Sequence, residues 1–467
     1  MKTIISAFAQ DTVTVDLPED ESGFYCGLAK ELVKFKTTPV INVECSAGHA
    51  VYSSVIRSGT ILLNNLANRL FFRDNGNYPT VYLTCVNEQF NNYKFYKLEQ
   101  ADSKVIATYG RIGAAKGELF GERTCIYEPS MFWIKYYEKL AKGYIDQSDI
   151  YLTEKPDKNA EPKMMDTCEK TESEKLYLKL MALAKKTISR QCKSVEITIG
   201  MIKKSRMLLM ELYKTNGVDE FNSVLLKLIS VCPRKVWRVS ELLAVTEDDF
   251  AGIIEREEDL VNAMDVVAEK EQNKTDKNDF SVYDIEVILA AEDDRKKVME
   301  ILTPELKKKV TRIYTVKPLK QNSAFDNYCR KNKIKNTKLL FHGSRNENWL
   351  SIIKNGLMLY PNAVITGKMF GNGIYFASSC EKSWGYTSGH GAYWTNGTAN
   401  TAYMGLYEVA YGEPEDCEAS HFYSKKELDE KNKNCVHAHA GKYLRNDEII
   451  FYDEAAVAIR YLIEFSA

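Results

Sequence analysis

The spacing of apolar residues changes twice along this chain of 467 residues. Apolar and polar residues alternate over much of 1–144, whereas apolar residues recur every three to four positions over 174–271. Both patterns occur from residue 280 onward, and polar stretches at 149–173 and 269–279 separate the regions. Alternation is typical of strands, and the longer period is typical of amphipathic helices. The sequence therefore predicts a multidomain α+β protein.

We divide the chain into five segments. Residues 1–78 carry short alternating runs such as TVTVDL and PVINVEC, which indicate a β-rich region without an assigned role. Residues 79–148 contain strand-like runs followed by an amphipathic helix in PSMFWIKYYEKLAK. Residues 149–173 have the composition of a linker. Residues 174–275 are predicted to form a helical bundle, and residues 280–467 an α+β domain.

Composition excludes several classes of protein. The net charge is −1, so any attraction to nucleic acid must come from a local patch. The cysteines number 11 and include no C-x-x-C pair, which argues against a disulfide framework or zinc finger and favours a reducing compartment. No run of 18 uncharged apolar residues occurs, and the N-terminal apolar run is too short for a signal peptide. We expect an intracellular protein that does not bind membranes.

Four short segments of the last third carry candidate functional residues: FHGSR (341–345), MFGNGIYFA (369–377), KSWGY (382–386) and NDEIIFYD (446–453). The first offers an imidazole, a hydroxyl and a glycine backbone that a ligand can approach closely. The serine and tyrosine of the third segment are three positions apart, so a helical turn places them on one face. Glu448 precedes a run of apolar residues and is a candidate acid or base.

Each segment alone also has a structural explanation. The GNG sequence can be a simple tight bend, Tyr375 can be a core aromatic residue, and a carboxylate at a strand end is usually solvated. The order and spacing of the segments are more specific than any one of them. His342, Tyr375 and Glu448 follow one another in the contexts HGSR, MFGNGIYFA and NDEIIFYD.

This arrangement resembles the catalytic domain of poly(ADP-ribose) polymerases, whose signature is His, Tyr and Glu on three different strands. The TGKMFG stretch before Tyr375 and the K-S-x-x-Y stretch after it match as well. The resemblance implies an ADP-ribosyltransferase fold with two small antiparallel sheets over residues 280–467. It also implies NAD+ as substrate, and no metal is expected.

The resemblance assigns the NAD-binding residues. The backbone of Gly343 and the hydroxyl of Ser383 would bind the nicotinamide amide, while the rings of Tyr375 and Tyr386 would sandwich the nicotinamide. His342 and Ser344 would hold the ribose hydroxyls on the adenosine side, whereas Glu448 would contact the nicotinamide ribose and activate the acceptor hydroxyl. The catalytic set is thus His342, Tyr375 and Glu448.

The resemblance extends toward the N-terminus. Residues 79–148 resemble the WGR domain that senses DNA ends, with Tyr109 in place of its tryptophan, and residues 174–275 resemble the family's autoinhibitory helical domain. The implied partners are DNA breaks and protein acceptors, including the chain itself, and the implied location in a eukaryote is the nucleus. The candidate DNA contacts are Tyr109, Gly110, Arg111, Lys116 and Arg123.

Two alternatives remain open at the level of sequence. The stretch between His421 and Glu448 is short where chain-elongating members carry a long hairpin, which favours a mono-ADP-ribosyltransferase. A DNA-end scaffold without activity is the other possibility. In that same stretch, Cys435, His437 and His439 alternate and could share one face of a strand. A metal site there is weighed against an exposed strand near the acceptor site.

Overall fold

The computed structural model describes residues 2–7, 12–18, 27–28, 31, 41–45, 48–52, 77–114, 117–152, 170–192, 197–232, 234–272, 279–359, 369–393 and 395–467. Sequence predictions for other positions, including most of NRLFFRDNGNYP, most of the 149–173 linker and Lys116, lie outside these residues. The chain forms two compact units. The N-terminal unit comprises Met1–Lys155, Cys192–Met201 and Leu226–Leu243, and the C-terminal unit comprises Pro156–Gln191, Ile202–Leu225 and Ala244–Ala467.

The N-terminal unit begins with a four-stranded antiparallel sheet. Two of its strands lie in the TVTVDL and PVINVEC runs, so both strand predictions are confirmed. The strand order is β2-β1-β3-β4. The strands are β1 (Lys2–Ala7), β2 (Thr12–Asp16), β3 (Ile41–Cys45) and β4 (Gly48–Tyr52).

A second, five-stranded antiparallel sheet follows in the same unit, with the order β8-β7-β6-β5-β9. The amphipathic helix predicted in PSMFWIKYYEKLAK is confirmed as α1. A short helix, α2, occupies positions that the sequence analysis placed partly in the linker, because Ile150 there is buried. The elements are β5 (Val81–Asn87), β6 (Asn92–Ala101), β7 (Lys104–Arg111), β8 (Arg123–Tyr127), β9 (Ile145–Asp146), α1 (Phe132–Ala141) and α2 (Ser148–Tyr151).

One hydrophobic core joins the two sheets of the N-terminal unit. Ile5 and Leu17 of the first sheet region pack in the same cluster as Leu83 and Leu98 of the second sheet. Phe132 of α1 is fully buried in this cluster. The 1–78 region therefore contributes to the core of the unit that holds residues 79–148.

Four longer helices confirm the helical periods at 174–271. In α5, Phe221, Leu225 and Leu228 are fully buried at the i, i+4, i+7 spacing that predicts an amphipathic helix. The Phe221 ring stacks on Phe250 with a centroid separation of 4.0 Å. The stretch is nevertheless divided, since residues 192–201 and 226–243 belong to the N-terminal unit. The helices are α3 (Glu172–Gln191), α4 (Ile199–Leu212), α5 (Val218–Val231) and α6 (Phe250–Gln272).

The C-terminal unit contains a five-stranded antiparallel sheet in the order β10-β11-β18-β14-β12. The central strand β18 is buried on both of its faces, since Leu462, Ile463 and Phe465 are 0% exposed. The strands are β10 (Ile285–Leu289), β11 (Val310–Pro318), β12 (Lys338–Gly343), β14 (Thr401–Val409) and β18 (Val457–Ser466). The accompanying helices are α7 (Glu292–Glu300), α8 (Pro304–Lys309), α9 (Leu319–Lys331) and α10 (Trp349–Asn355).

A four-stranded sheet in the order β13-β17-β16-β15 completes this unit. It corrects the expectation of two purely antiparallel sheets, because β15 and β16 pair in parallel. A parallel pair requires a crossover connection, and the chain between these strands forms one that contains a helix. The elements are β13 (Ile374–Phe376), β15 (Pro414–Cys417), β16 (Cys435–Ala438), β17 (Glu448–Phe451), α11 (Cys380–Trp384) and α12 (Lys425–Glu430).

A β-bridge joins the two sheets of the C-terminal unit. The amide of Phe341 donates to the carbonyl of Ala377 at 2.9 Å, and the amide of Ala377 donates to the carbonyl of Phe341 at 3.0 Å. This bridge brings the end of β12 beside the end of β13. Among the described residues, no helix is both long and apolar enough to cross a membrane.

The burial of β18 generates a test of the fold. Ile463→Ala removes buried methyl groups from the central strand, and we expect it to lower the free energy of unfolding by about 2–5 kcal/mol. Ile288→Ala is the matched control, because Ile288 lies on edge strand β10 with 44% of its surface exposed. Urea denaturation followed by circular dichroism measures both variants. Equal losses in the two variants would contradict the assignment of β18 to the centre of the core.

Candidate active site

The three residues of the predicted catalytic set lie on three neighbouring strands. His342 is on β12, Tyr375 on β13 and Glu448 at the start of β17. The Phe341–Ala377 bridge places β12 beside β13, and antiparallel pairing of Tyr375 with Ile450 places β17 on the other side of β13. Segments separated by more than 100 positions in the sequence therefore meet where the two sheets join.

Gly343 lies where no other residue type fits. A Cβ atom built on Gly343 would lie 1.9 Å from the carbonyl oxygen of Ser383 and 3.1 Å from the Cβ of Tyr386. Contacts below about 3 Å are excluded for carbon atoms, whose optimal separation is about 3.5–4.0 Å. The absence of a side chain therefore lets β12 approach α11 and the turn that follows it.

The Tyr375 side chain is held by the glycine turn that precedes it. Its hydroxyl donates to the carbonyl of Gly371 at 2.8 Å, and the amide of Phe370 donates to the hydroxyl oxygen at 3.1 Å. Gly371 has a φ of +83°, a conformation that favours glycine. Burial raises the pKa of Tyr375, and the nearby carboxylate of Glu448 raises it further. The ring is therefore neutral at physiological pH and fixed in position.

Ser383 and Tyr386 lie on and just beyond α11. Ser383 is buried, with 3% exposure, and its carbonyl accepts a hydrogen bond from the amide of Tyr386 at 3.2 Å. Tyr386 exposes 40% of its surface, so one part of its ring is open to solvent. Burial raises the pKa of Tyr386, and the carboxylates of Glu448 and Glu255 add to the effect. The helical turn predicted for this pair is confirmed.

His342 and Ser344 flank Gly343 at the end of β12. The ring nitrogen Nδ1 of His342 lies 3.0 Å from the carbonyl oxygen of Tyr375. Because a carbonyl only accepts, Nδ1 carries a proton and donates it. The hydroxyl of Ser344 accepts from the side-chain amide of Asn348 at 3.2 Å. The His342 ring orientation therefore depends on the backbone of the neighbouring catalytic strand.

Glu448 forms an ion pair that the sequence analysis did not identify. The ammonium of Lys382, in α11, lies 2.5 Å from Oε1 of Glu448 and also donates to the carbonyl of Asn446 at 3.3 Å. Both side chains are largely buried, with exposures of 13% and 14%. Lys382 is the first residue of the KSWGY segment and directly precedes Ser383. Its position beside a predicted NAD-binding residue is the one sequence feature that pointed to a role in the site. This cation fixes the position of the carboxylate.

Helix α6 is tied to the residues that follow Gly343 and Ser344. Asp259 accepts from Arg345 at 2.6 Å and from the side-chain amide of Asn348 at 2.7 Å, and Glu255 pairs with Arg345 at 3.0 Å. Burial raises the pKa of Asp259 to about 7, against the opposing effects of Arg345 and Asn348. The carboxylate is therefore mostly ionised at pH 8. We call this set of contacts among Glu255, Asp259, Arg345 and Asn348 the α6 clamp.

A second attachment of α6 lies farther along the helix. Asp265 accepts from Arg206 of α4 and from Lys354 of α10, each at 3.2 Å, and from Asn355 at 3.0 Å. Together with the α6 clamp, these contacts hold the acidic face of α6 against the segment from the end of β12 through α10. The resemblance implies an autoinhibitory role for the region that contains this helix, but it does not identify these partners.

The predicted DNA contacts lie in the N-terminal unit. Tyr109 is partly buried and packs on Tyr96 with a ring separation of 5.8 Å. Gly110 is closely packed, because a Cβ there would lie 3.0 Å from the carbonyl oxygen of Gly121. Arg123 is exposed on β8, while Lys116 lies outside the described residues.

Arg111 makes internal contacts in the same unit. Its guanidinium donates to the carbonyl of Asn91 at 3.2 Å and to the carbonyl of Trp237 at 2.6 Å, and it lies over the ring of Tyr93. These contacts join β7 to the helical segment 226–243 of the unit. The prediction of a phosphate contact through Arg111 is untested, and the structure adds a structural role for this side chain.

A family model and several known proteins that are similar to this chain indicate the same protein family. Residues 293–441 match the model of the poly(ADP-ribose) polymerase catalytic domain, a range that includes His342 and Tyr375 and ends before Glu448. A poly(ADP-ribose) polymerase-like protein, 100L, of Invertebrate iridescent virus 6 is 31% identical over 163 residues. That alignment covers 33% of this chain and 85% of the viral protein.

Two animal enzymes are similar over shorter shares of their length. The poly(ADP-ribose) polymerase of Sarcophaga peregrina is 33% identical over 163 residues, covering 29% of this chain and 16% of that enzyme. Poly(ADP-ribose) polymerase 2 of Homo sapiens is 44% identical over 79 residues, covering 17% of this chain and 12% of that enzyme. The matched region thus corresponds to a small part of these animal proteins but to most of the viral one. The chain belongs to the poly(ADP-ribose) polymerase family.

Proposed function

We propose that the chain is an NAD-dependent ADP-ribosyltransferase, which transfers ADP-ribose from NAD+ to a protein acceptor and releases nicotinamide. The observation that carries this proposal is the convergence of His342, Tyr375 and Glu448 on adjacent strands. The matching catalytic-domain model and the family relatives support it. The chain itself is among the expected acceptors, and in a eukaryote the expected location is the nucleus.

The close approach at Gly343 supports a site for nicotinamide. Its backbone would bind the carboxamide, with the hydroxyl of Ser383 as a further partner. The rings of Tyr375 and Tyr386 would enclose the nicotinamide between them. Their raised pKa values keep both phenols uncharged at neutral pH. Uncharged aromatic faces suit stacking on a flat heteroaromatic ring.

The ion pair of Glu448 supports the chemistry of the transfer. The bond between the anomeric carbon of the ribose and the nicotinamide nitrogen breaks, and nicotinamide leaves as a neutral molecule with the bonding electrons. Positive charge develops at the anomeric carbon, where a preorganised carboxylate stabilises it. The acceptor oxygen forms the new bond, and its proton passes to Glu448 and then to water. Lys382 holds the carboxylate for both tasks.

We further propose that the product is a polymer, since Glu448 completes the catalytic set of chain-elongating members. A mono-ADP-ribosyltransferase is the second candidate. The observation that favours it is the compact crossover between β15 and β16, where α12 stands in place of a long acceptor-binding hairpin. The size of the product distinguishes the two.

We propose that DNA ends stimulate the reaction through the N-terminal unit. Tyr109, Gly110 and Arg123 remain the candidate DNA contacts, together with Arg111 and Lys116. An exposed aromatic side chain beside them supports a nucleic-acid surface, since Trp237 exposes 61% of its surface where Arg111 binds its carbonyl. Exposed aromatic side chains stack on unpaired bases at DNA ends.

We also propose that α6 restrains the site until DNA binds. The α6 clamp acts on Arg345, which follows Ser344 directly, so movement of α6 changes the segment assigned to the ribose. A switch of this kind needs only a few kcal/mol of differential contact between its two states.

The first prediction concerns turnover. Nicotinamide release from labelled NAD+ should rise on addition of a DNA duplex with a 5′-phosphorylated break. In Glu448→Gln, release should fall by about 10²–10³-fold, because the carboxylate that stabilises the developing charge is lost. The measurement is product separation on a gel beside quantified nicotinamide release.

Each outcome of this experiment separates the alternatives. Long polymer that disappears in Glu448→Gln supports the full proposal. Single-unit transfer supports the mono-ADP-ribosyltransferase instead. Absence of turnover with and without DNA, in a folded protein, would overturn the enzymatic proposal in favour of a scaffold.

The second prediction concerns the nicotinamide site. Gly343→Ala should abolish NAD+ binding and turnover, because the added methyl group collides with the Ser383 carbonyl and displaces β12 from α11. Gly441→Ala is the matched control, since a Cβ there meets no atom within 4 Å. Binding of NAD+ by calorimetry measures both variants. Retained affinity in Gly343→Ala would contradict the placement of the ligand against this glycine.

The third prediction concerns the α6 clamp. At pH 8, Asp259→Asn should raise DNA-independent turnover on the order of 5-fold or more. Arg345 and Asn348 each donate a hydrogen bond to one carboxylate oxygen of Asp259. In Asp259→Asn, an NH₂ group replaces one of these oxygens, so two donors face each other and one hydrogen bond is lost. Asp248→Asn, at an exposed position before α6, is the matched control.

Hydrogen exchange of the α6 amides in the same samples makes this third test decisive. Faster exchange with unchanged basal turnover would contradict autoinhibition by α6. The point variant is preferable to deletion of residues 174–271, because 192–201 and 226–243 belong to the N-terminal unit and their loss would damage it.

A further inference from the structure

A group of titratable side chains outside the residues assigned to NAD lies at the β15 edge of the four-stranded sheet. The group consists of Asp416, His437 and His439, with Tyr411 and Asp447 next to it. None of these residues takes part in the chemistry proposed above. One ligand atom from each of the first three lies within 4.8 Å of the others.

The backbone accounts for this grouping. Asp416 of β15 and His437 of β16 are register partners in the parallel pair. The amide of His439 donates to the carbonyl of Cys417 at 2.9 Å, which continues the pairing beyond β16. Side chains two positions apart on a strand share a face. The His437 and His439 rings accordingly lie close, with centroids 4.1 Å apart.

The donor atoms converge on one small volume. Nε2 of His439 lies 2.7 Å from Oδ1 of Asp416, and Nδ1 of His437 lies 3.9 Å from the same oxygen. In a tetrahedral zinc site with bonds near 2.0–2.2 Å, ligand atoms are separated by roughly 3.3–3.6 Å. Small side-chain rotations therefore suffice to place the three atoms around one ion.

Metal-binding histidines commonly donate the N–H of their second ring nitrogen to a carboxylate, and Asp447 accepts such a hydrogen bond from His437. Its Oδ2 lies 3.1 Å from Nε2 of His437, so Nε2–H donates to it and Nδ1 is left with its lone pair. The Tyr411 hydroxyl lies 2.8 Å from Nδ1 and donates to it. Metal binding would exchange this hydrogen bond for a coordination bond.

We propose that Asp416, His437 and His439 bind a divalent transition-metal ion of the zinc class, with water completing the coordination. Two imidazoles and one carboxylate are donors that suit Zn²⁺, whereas Ca²⁺ and Mg²⁺ take oxygen ligands. The site is open to solvent, because the Asp416 side chain is 63% exposed and that of His439 is 39% exposed.

The proposal corrects the metal hypothesis drawn from the sequence. Cys435 is fully buried, and its thiol donates to the carbonyl of Tyr411 at 3.4 Å. Its sulfur is not among the ligand atoms that lie within 4.8 Å of one another, which come from Asp416, His437 and His439. Asp416, from the neighbouring parallel strand, takes its place as the third ligand.

The position of the site gives the ion a structural task. His437 binds Asp447, which immediately precedes Glu448, and the amide of Ala440 donates to Asp447 at 2.8 Å. An ion on His437 and His439 would therefore hold the 439–447 loop that leads to the proposed catalytic carboxylate. Metal binding itself does not depend on the transferase proposal.

The test uses the full chain, stripped of metal with a chelator and exchanged into metal-free buffer. Calorimetric titration with Zn²⁺ should show one equivalent bound per chain. Asp416→Asn combined with His439→Gln should weaken this binding at least 10-fold. His421→Gln should leave it unchanged, because His421 is an exposed histidine paired with Glu427 at 3.1 Å outside the cluster.

Substitution with Co²⁺ gives a second readout that does not depend on activity. Visible bands of a four-coordinate nitrogen–oxygen site that are lost in the double variant and kept in His421→Gln would support the proposal. A thiolate-to-cobalt charge-transfer band would overturn it in favour of cysteine ligands. Absence of stoichiometric binding, or equal weakening in both variants, would show that the cluster is only a pair of histidine–aspartate ion pairs.

Discussion

The reciprocal pair of backbone hydrogen bonds between Phe341 and Ala377 is the interaction on which the candidate active site depends. Each sheet of the C-terminal unit carries part of the site, and neither contains it alone. The bridge places β12 beside β13, and the pairing of β13 with β17 adds Glu448. Backbone hydrogen bonds between strands fix the spacing of neighbouring strands near 4.7–4.9 Å, so the predicted catalytic residues come from a rigid frame.

Side-chain packing complements this frame at the point of closest approach. Gly343 lets β12 lie directly against the Ser383 carbonyl, and Lys382 from the same helix reaches Glu448. Helix α11 therefore contacts β12 through Ser383 and the predicted catalytic carboxylate of Glu448 through the adjacent Lys382. A short helix of five residues gains its stability from these tertiary contacts, because isolated helices of such length are unstable in water.

Local patterns predicted most elements and the main site residues. Helices such as Phe250–Gln272 follow from the period of their apolar residues, and strands such as Thr401–Val409 follow from runs of β-branched and aromatic residues. The likeness to a known family identified His342, Tyr375 and Glu448, whose proximity no local pattern could establish. The parallel pairing of β15 with β16 escaped prediction, because strand direction depends on a crossover and not on the sequence of either strand.

Contacts between side chains of different helices and strands were equally impossible to predict from local sequence patterns. Asp259 is one of many acidic residues in its helix, and only packing distinguishes it as the partner of Arg345. Asp416 similarly stands in a run of acidic residues, and its closeness to His439 depends on the register of two strands. The division of the helical region between two units also follows from packing, since its helices share the same apolar period.

Two kinds of restraint therefore meet at the segments on either side of the proposed site. The α6 clamp includes the ion pair of Arg345 with Glu255, which can separate at modest cost because both side chains are partly exposed, whereas Asp259 is buried. The His437–Asp447 contact holds the approach to Glu448 through a ring fixed at both nitrogens. The first restraint suits a reversible response to a distant event, whereas the second suits a permanent support. This difference in physical character is why we assign regulation to α6 and a structural ion to the β15–β16 edge.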